Sequence, residues 1–238
     1  MLGGDDVLKK EKDKFYLMSM PKHIAVIIDG NRRWARKHGL KDWEGHKKGA
    51  ERLEDFLKWC LDAGIKEVSA YVLSTENLNR SKEELKHLFS LFKEAFKKFQ
   101  EKENFVHKYK VKIRFAGDLR RLPKDLREII RKVEKKTEKY GERILNILIA
   151  YGGKFEIVQA AKRCKKINEK ELEKNLLVPE PVDLVIRTGG YSRLSNLLLW
   201  QCAYAELYFT KTLWPDFSKK EFLKALKWFS SVKRNFGR

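Results

Sequence analysis

Residues 23–29 read HIAVIID, an uninterrupted apolar run that ends in a carboxylate, and the chain continues as Gly30-Asn31-Arg32-Arg33-Trp34. A run this apolar, without alternation, suits a parallel strand covered on both faces. Five more runs share its character: VSAYVL (68–73), VKIRFAG (111–117), ILNILIA (144–150), VDLVIR (182–187) and ELYF (206–209). Helical spacing of apolar residues occupies 45–63, 82–105, 124–140, 154–166 and 195–203, and a closing helix opens over 222–229. Strand and helix alternate from residue 23 to 210 with no repeat or linker. That predicts one α/β domain over 23–238 with a mostly parallel sheet, preceded by an arm over 1–22.

Local signals punctuate the helices. Ser81 with Glu84, and Ser218 with Glu221, have capping-box spacing. Pro123 suits a first helical position, and Gly64 and Gly141 suit positions just past helix ends.

The 238 residues are 42% hydrophobic and 36% charged, which supplies a full core without a metal or disulfide staple. Three cysteines, Cys60, Cys164 and Cys202, share no metal-ligand spacing and make no disulfide framework, so a reducing, cytoplasmic setting is expected. No stretch approaches the roughly 20 apolar residues of a membrane span, and the first 20 residues lack the apolar run of a signal peptide.

The formal charge is +20. Such a balance attracts polyanions: phosphorylated small molecules, an anionic membrane surface or nucleic acid. Residues 120–143 hold ten basic and five acidic side chains at helical spacing, the pattern of a solvated helix face. No RNP aromatic pair, KH-type loop or Cys/His finger supports nucleic-acid recognition, whereas peripheral membrane contact stays open.

In parallel α/β folds ligands bind beyond the C-terminal ends of the strands, so those residues carry the functional reading. After the first strand, Gly30 permits a sharp turn into a helix that begins near Arg33, presenting backbone N–H groups to an anion. Asp29 fits beside a phosphate if a divalent cation intervenes; otherwise it is a helix cap. His46 is either a phosphate partner or an ordinary surface or core histidine. The second strand runs into Ser74-Thr75-Glu76-Asn77-Leu78-Asn79-Arg80, where capping explains Ser81 but not Asn77 and Arg80 together. The fifth strand leads to Arg187-Thr188-Gly189-Gly190-Tyr191-Ser192-Arg193-Leu194-Ser195. Two guanidiniums and a hydroxyl around a flexible turn suit a diphosphate, because Arg matches phosphate oxygens in pairs. The alternative is a basic turn in which Ser195 caps a helix. Glu206 sits in the apolar AYAELYF, where a carboxylate is expensive unless paired or metal-bound, and it is expected to join Asp29 on one cation.

HIAVIIDGNRRWA, GHKKGA, STENLNR, NILIAYGG, VDLVIRTGGYSRLSNLLLWQCAYAELYFTKTLWPDF and the closing KRNFG together resemble the cis-prenyltransferases, the undecaprenyl diphosphate synthase family, over nearly the whole chain. The resemblance implies a six-stranded, mainly parallel sheet flanked by helices, a homodimer or heterodimer, and Mg²⁺-dependent addition of isopentenyl diphosphate to an allylic prenyl diphosphate with formation of Z double bonds. It implies that Asp29 holds Mg²⁺ and helps ionise the allylic diphosphate. Gly30, Asn31, Arg32, Arg33, Trp34, His46 and Ser74 fall among the substrate-binding positions. Asn77 and Arg80 orient the substrates, Arg187, Arg193 and Ser195 bind isopentenyl diphosphate, and Glu206 completes the metal environment. Val72, Leu88, Phe89, Phe92, Phe96 and Ile147 become candidate walls of a product tunnel, or plain core. Tyr204, Leu207, Phe209, Leu213 and Trp214 supply candidates for a twofold interface.

The chain also departs from the family pattern. Asp42 stands where an Arg is usual, Tyr191 where a Glu is usual and Ser192 where a His is frequent. Leu78 replaces a Trp, and the terminal Arg-x-Gly reads Asn235-Phe236-Gly237. With Val72 narrowing the tunnel, these departures point to a short, single-step or otherwise atypical product, whereas the extra charged sequence KKFQEKENF (97–105) resembles members that make longer chains. A non-catalytic partner subunit or polyanion-binding protein is the remaining alternative.

Overall fold

The computed structural model describes residues 20–234; the arm up to residue 19 and the terminal Asn235-Phe236-Gly237 lie outside the described residues. Six strands, β1 (His23–Ile27), β2 (Glu67–Ser74), β3 (Val111–Ala116), β4 (Arg143–Tyr151), β5 (Leu184–Arg187) and β6 (Glu206–Phe209), form one sheet in the order β3-β4-β2-β1-β5-β6. Every neighbouring pair is parallel. The inner strands β1, β2, β4 and β5 are covered on both faces as expected, with Ile24, Ala25 and Val26 fully buried, whereas the edge strands β3 and β6 are partly exposed.

The helices are α1 (Asn31–Lys37), α2 (Asp42–Asp62), α3 (Lys82–Lys98), α4 (Phe105–Lys108), α5 (Lys124–Thr137), α6 (Gly153–Arg163), α7 (Glu169–Asn175) and α8 (Lys219–Ser231). On α5, Leu126, Ile130, Val133 and Thr137 face the core while the charged residues lie outward, as the 120–143 pattern predicts. Ser218 and Glu221 form the expected capping box on α8, and Gly64 follows α2 at φ +75°. Among the described residues no helix is long and apolar enough to cross a membrane. The three cysteines are free.

Several boundaries differ from expectation. Helix α2 starts at Asp42 because the Glu44 carboxylate accepts the Lys41 N–H at 2.9 Å. Pro123 caps α5 instead of opening it, and α5 stops at Thr137, whose hydroxyl donates to Val133 O and accepts the Ile113 N–H of β3. Gly141 thus lies beyond the helix end and terminates nothing. The stretch expected as one helix over 82–105 breaks at Lys98, where the polar run Gln100–Asn104 supplies no apolar face and Asn104 caps a new turn at Val106 N.

Residues 195–203 are not a helix. Ser195, Asn196 and Leu198 take positive φ, and tertiary hydrogen bonds hold them there: Asn196 O accepts Gly153 N–H at 2.7 Å and Asn196 Oδ1 accepts Lys154 N–H at 2.9 Å. Helix α7 was not expected, although Asn168 and Glu171 carried its N-cap signal; the Asn168 side chain accepts Glu171 N–H at 3.0 Å.

The topology concentrates loops at one place. β1 lies between β2 and β5, with Ile27 level with both Tyr71 and Arg187. The chain leaves β1 toward β2 and later returns to β1's other side, so the crevice opens beyond the C-terminal ends of these three strands. β2 carries a register shift against β4 between Tyr71 and Leu73, with Val72 as the unmatched residue. A bulge of this kind re-aims the strand end toward the crevice.

Candidate active site

Gly30 begins the site. Its φ of +113° turns the backbone from β1 into α1, and a Cβ there would lie 2.9 Å from Leu213 Cδ2. Helix α1 has only seven residues, so its dipole is short and the positive charge of the crevice comes chiefly from guanidiniums.

Asp29 is half-buried and bridges two of them. Its Oδ1 accepts from Arg33 Nη2 at 3.2 Å and its Oδ2 from Arg187 Nη2 at 2.9 Å. Arg187, almost fully buried at the end of β5, also donates from Nη1 to Ser195 Oγ at 2.7 Å and to Arg193 O. These bonds hold the 188–195 turn over the strand end and explain why Ser195 serves Arg187 rather than capping a helix. Gly189, at φ +86°, lets Arg33 pass: a Cβ would sit 2.6 Å from Arg33 Nη2.

A second cluster closes the other side. Ser74 and Asn77 exchange bonds, Asn77 Oδ1 accepting Ser74 N–H at 3.3 Å and Ser74 Oγ accepting Asn77 N–H at 3.1 Å. Arg80 donates to Glu84 Oε1 at 2.9 Å, and the same oxygen lies 3.4 Å from His46 Nε2 and 3.8 Å from Arg32 Nη1. Burial first, and then the Arg80 charge, lower the His46 pKa, so the ring is neutral near pH 7. Glu84 was expected only as a capping partner. Its N–H does bond Ser81 Oγ, but its carboxylate serves three cationic or polar groups, which bind it more strongly than a backbone amide would.

Asp42 has a definite task as well. It accepts from Arg32 Nε at 2.9 Å and from Arg36 Nε and Nη2 at 2.8 and 2.7 Å, which hold its carboxyl below the usual range. The carboxylate at that position fixes Arg32, whose guanidinium points toward the Glu84 cluster.

Both clusters open into one cavity of about 730 Å³. Asp29, Asn31, His46, Ser74, Asn77, Arg80, Arg187 and Ser195 line its charged end. Beyond them the wall is apolar: Leu57, Val72, Leu88, Phe92, Phe96 and Ile147, continuing to Phe99 and Phe105. Phe89 is absent from the lining and packs partly buried against the core. Val72 is part of the wall, yet the cavity extends past it to Phe105, so the expected narrowing does not close the tunnel.

Two predicted site residues lie elsewhere. Trp34 sits on α1 away from the cavity, donating to Asp216 Oδ1 at 2.7 Å and lying tilted against the His38 ring at 4.2 Å. Glu206 opens β6 level with Leu184, whereas Asp29 lies past the far end of neighbouring β1, so one chain cannot place both on one cation. In a parallel sheet, residues at strand starts and strand ends occupy opposite edges. Glu206 faces Arg234 Nε at 3.8 Å instead. Trp214 is also reassigned: it is fully buried against Phe56 and Phe217, whereas Tyr204 and Leu207 are exposed along edge strand β6. Among the described residues no group of three or more His, Cys, Asp or Glu is placed to hold a metal.

A parallel α/β sheet with guanidiniums converging at its switch point and an apolar tunnel behind them defines a binder of a diphosphate carrying a hydrocarbon chain. The chain belongs to the undecaprenyl diphosphate synthase family, whose Prenyltransf model matches residues 27–237, and it is a prenyltransferase. It is 47% identical over 233 residues to a tritrans,polycis-undecaprenyl-diphosphate synthase (geranylgeranyl-diphosphate specific) of Methanopyrus kandleri, covering 92% of this chain and 85% of that one. It is 43% identical over 229 residues to an isoprenyl transferase of Aquifex pyrophilus, covering 93% and 97%. Among solved structures, lavandulyl diphosphate synthase from Lavandula x intermedia in complex with dimethylallyl diphosphate superposes with a TM-score of 0.85 at 31% identity, covering 93% of this chain and all of that one.

Proposed function

We propose that the chain extends geranylgeranyl diphosphate, or an allylic diphosphate of similar length, with successive isopentenyl diphosphate units to a long Z-prenyl diphosphate, using Mg²⁺. The observation that carries this reading is the continuity of the cavity: the charged end at Asp29 and Arg187 opens without interruption into an apolar tunnel that reaches Phe105. A single-step product needs no such length behind Val72. A non-catalytic role leaves the buried Arg187 and its bonds to Asp29 and Ser195 without a purpose.

The donor set fits Mg²⁺ in one way. Asp29 offers two carboxylate oxygens, each engaged by a single guanidinium N–H, and it would hold Mg²⁺ together with substrate phosphates and water, the oxygen ligands usual for this ion. When bound there, Mg²⁺ would neutralise charge on the diphosphate leaving group. Arg187 and Ser195, with Arg33 and Arg193 at the mouth, bind and orient phosphate oxygens; His46 and Arg80 face the cavity from the opposite side. As the allylic C–O bond breaks, negative charge grows on the departing diphosphate, and preorganised guanidiniums stabilise it. The apolar wall keeps water from the allylic cation. Asn77, locked by Ser74, keeps its Nδ2 for a substrate oxygen.

Labelled isopentenyl diphosphate incubated with dimethylallyl, geranyl, farnesyl and geranylgeranyl diphosphates tests the reading. Incorporation is expected with Mg²⁺, greatest on geranylgeranyl diphosphate, and abolished by EDTA. No incorporation on any primer would defeat it.

A homodimer across β6 belongs to the same proposal. Among the described residues β6 pairs only with β5 and exposes Leu207, with Tyr204 beside it, and an unprotected edge strand invites a twofold partner. Sedimentation at micromolar concentration should show twice the chain mass; a monomer contradicts the assembly.

A further inference from the structure

Three arginines of the site converge on one aromatic ring. The Cζ atoms of Arg193, Arg33 and Arg187 lie 4.2, 4.8 and 5.8 Å from the centroid of Tyr191. Like charges gathered this closely repel, and the carboxylate paired with them, Asp29, reaches only Arg33 and Arg187. The Arg193 guanidinium makes no hydrogen bond or ion pair among the described residues; its contact is the ring face. Gly189 and Gly190, at φ +86° and +81°, turn the chain so that Tyr191 returns over the end of β5. The ring is 42% exposed, at the mouth of the crevice.

An aromatic face attracts a cation through its quadrupole without occupying its N–H donors and without cancelling its charge. A carboxylate in the same place would do both. Arg193 stacked on a ring therefore keeps all five N–H donors and its full charge for an incoming anion.

We propose that Tyr191 is a positioning residue for substrate diphosphate: its ring gathers Arg33, Arg187 and Arg193 into one receptor and leaves them fully charged. This rests on the reading that these arginines bind a diphosphate. The ring acts through the arginines rather than on the reacting carbons, so its loss should appear in binding rather than in the chemical step.

The test compares wild type with Tyr191→Phe, Tyr191→Leu and Tyr191→Gln in the full chain. Calorimetry with inorganic diphosphate and Mg²⁺ gives Kd, and steady-state assays separate KM for isopentenyl diphosphate from kcat. Tyr191→Leu and Tyr191→Gln should each raise Kd and KM about 3- to 5-fold, the scale of a lost cation–π contact at an exposed site, with kcat changed by less than about twofold. Tyr191→Phe keeps the ring and should stay within about twofold of wild type in all three. In an Arg193→Ala background the Leu substitution should have a smaller effect, because the closest stacked cation is gone. Two non-aromatic variants are used so that a folding defect in one leaves the other to decide. Wild-type binding in a folded Leu or Gln variant overturns the proposal and leaves the diphosphate site intact. A Phe variant as weak as Leu overturns it too, because the hydroxyl would then be the active part. Absence of diphosphate binding in the wild type overturns both this inference and the reading beneath it.

Discussion

Asp29→Ala should lower turnover by about 10²–10³ while leaving the fold in place, the loss seen when one principal electrostatic group is removed from a transition state. The carboxylate fixes Arg33 at 3.2 Å and Arg187 at 2.9 Å, so its removal frees the guanidinium proposed to meet the allylic leaving group and the one proposed to hold isopentenyl diphosphate. It also removes the carboxylate proposed to hold Mg²⁺. The sign of the binding change is informative. A bare carboxylate repels a diphosphate, so the Ala variant should bind inorganic diphosphate at least as tightly as wild type when Mg²⁺ is absent, even as turnover falls. Asp29 lies at a strand end and is partly exposed, so melting should shift little. Near-normal turnover, or diphosphate binding lost in parallel with turnover, contradicts the assigned role.

The second large effect is on stability. Glu156, on α6, is 1% exposed and accepts four hydrogen bonds: from Tyr151 Oη, from Leu177 N at 2.8 Å, from Val178 N at 3.0 Å and from Gln201 Nε2 at 3.0 Å. The Gln201 side chain also donates to Val178 O, and the Gln201 backbone carbonyl accepts Val182 N–H. One buried carboxylate thus ties β4, the entry to β5 and the irregular 195–203 segment together. Glu156→Ala leaves several buried donors without acceptors and should cost about 3–5 kcal/mol. For a chain of this size that is a fall in melting temperature of about 6–20 °C. Glu156→Gln keeps an acceptor oxygen in place and should lose less. A melting temperature within about 2 °C of wild type in the Ala variant would show that the segment is held by packing instead.

β1, β2, β4 and β5 were readable because they lie inside the sheet and so appear as apolar runs; β3 and β6, at its edges, are only partly covered, and Val111-Lys112-Ile113-Arg114-Phe115 alternates accordingly. Residues 195–203 were misread for a local reason. Ser195 followed by Leu197, Leu198 and Leu199 imitates a capped helix, and nothing nearby in sequence reveals that Arg187 and Gly153 claim its polar groups. Glu84 was hidden likewise, because capping accounted for it before its partners across the crevice were known. Trp34 entered the site through motif position, but on α1 its ring turns to Asp216, and strand order places Glu206 at the opposite end of the sheet from Asp29 within one chain. Asp42 and Tyr191 were visible as departures from the family pattern. What they do depends on Arg32, Arg36, Arg33 and Arg193 arriving from other elements, which only the folded chain brings together. Val72 was correctly placed in the wall, but its effect on product length depends on the space beyond it, a property of α3 and β4 packed together.

The most direct test of long Z-chain synthesis is the product itself. The chain is incubated with geranylgeranyl diphosphate, isopentenyl diphosphate and Mg²⁺, and the dephosphorylated products are separated by chromatography and their added double bonds assigned by NMR. The tunnel running from Asp29 past Val72 to Phe105 predicts a polyprenol extended by several units, each with a Z double bond. A product that stops after one addition, or one whose new double bonds are E, would contradict the account.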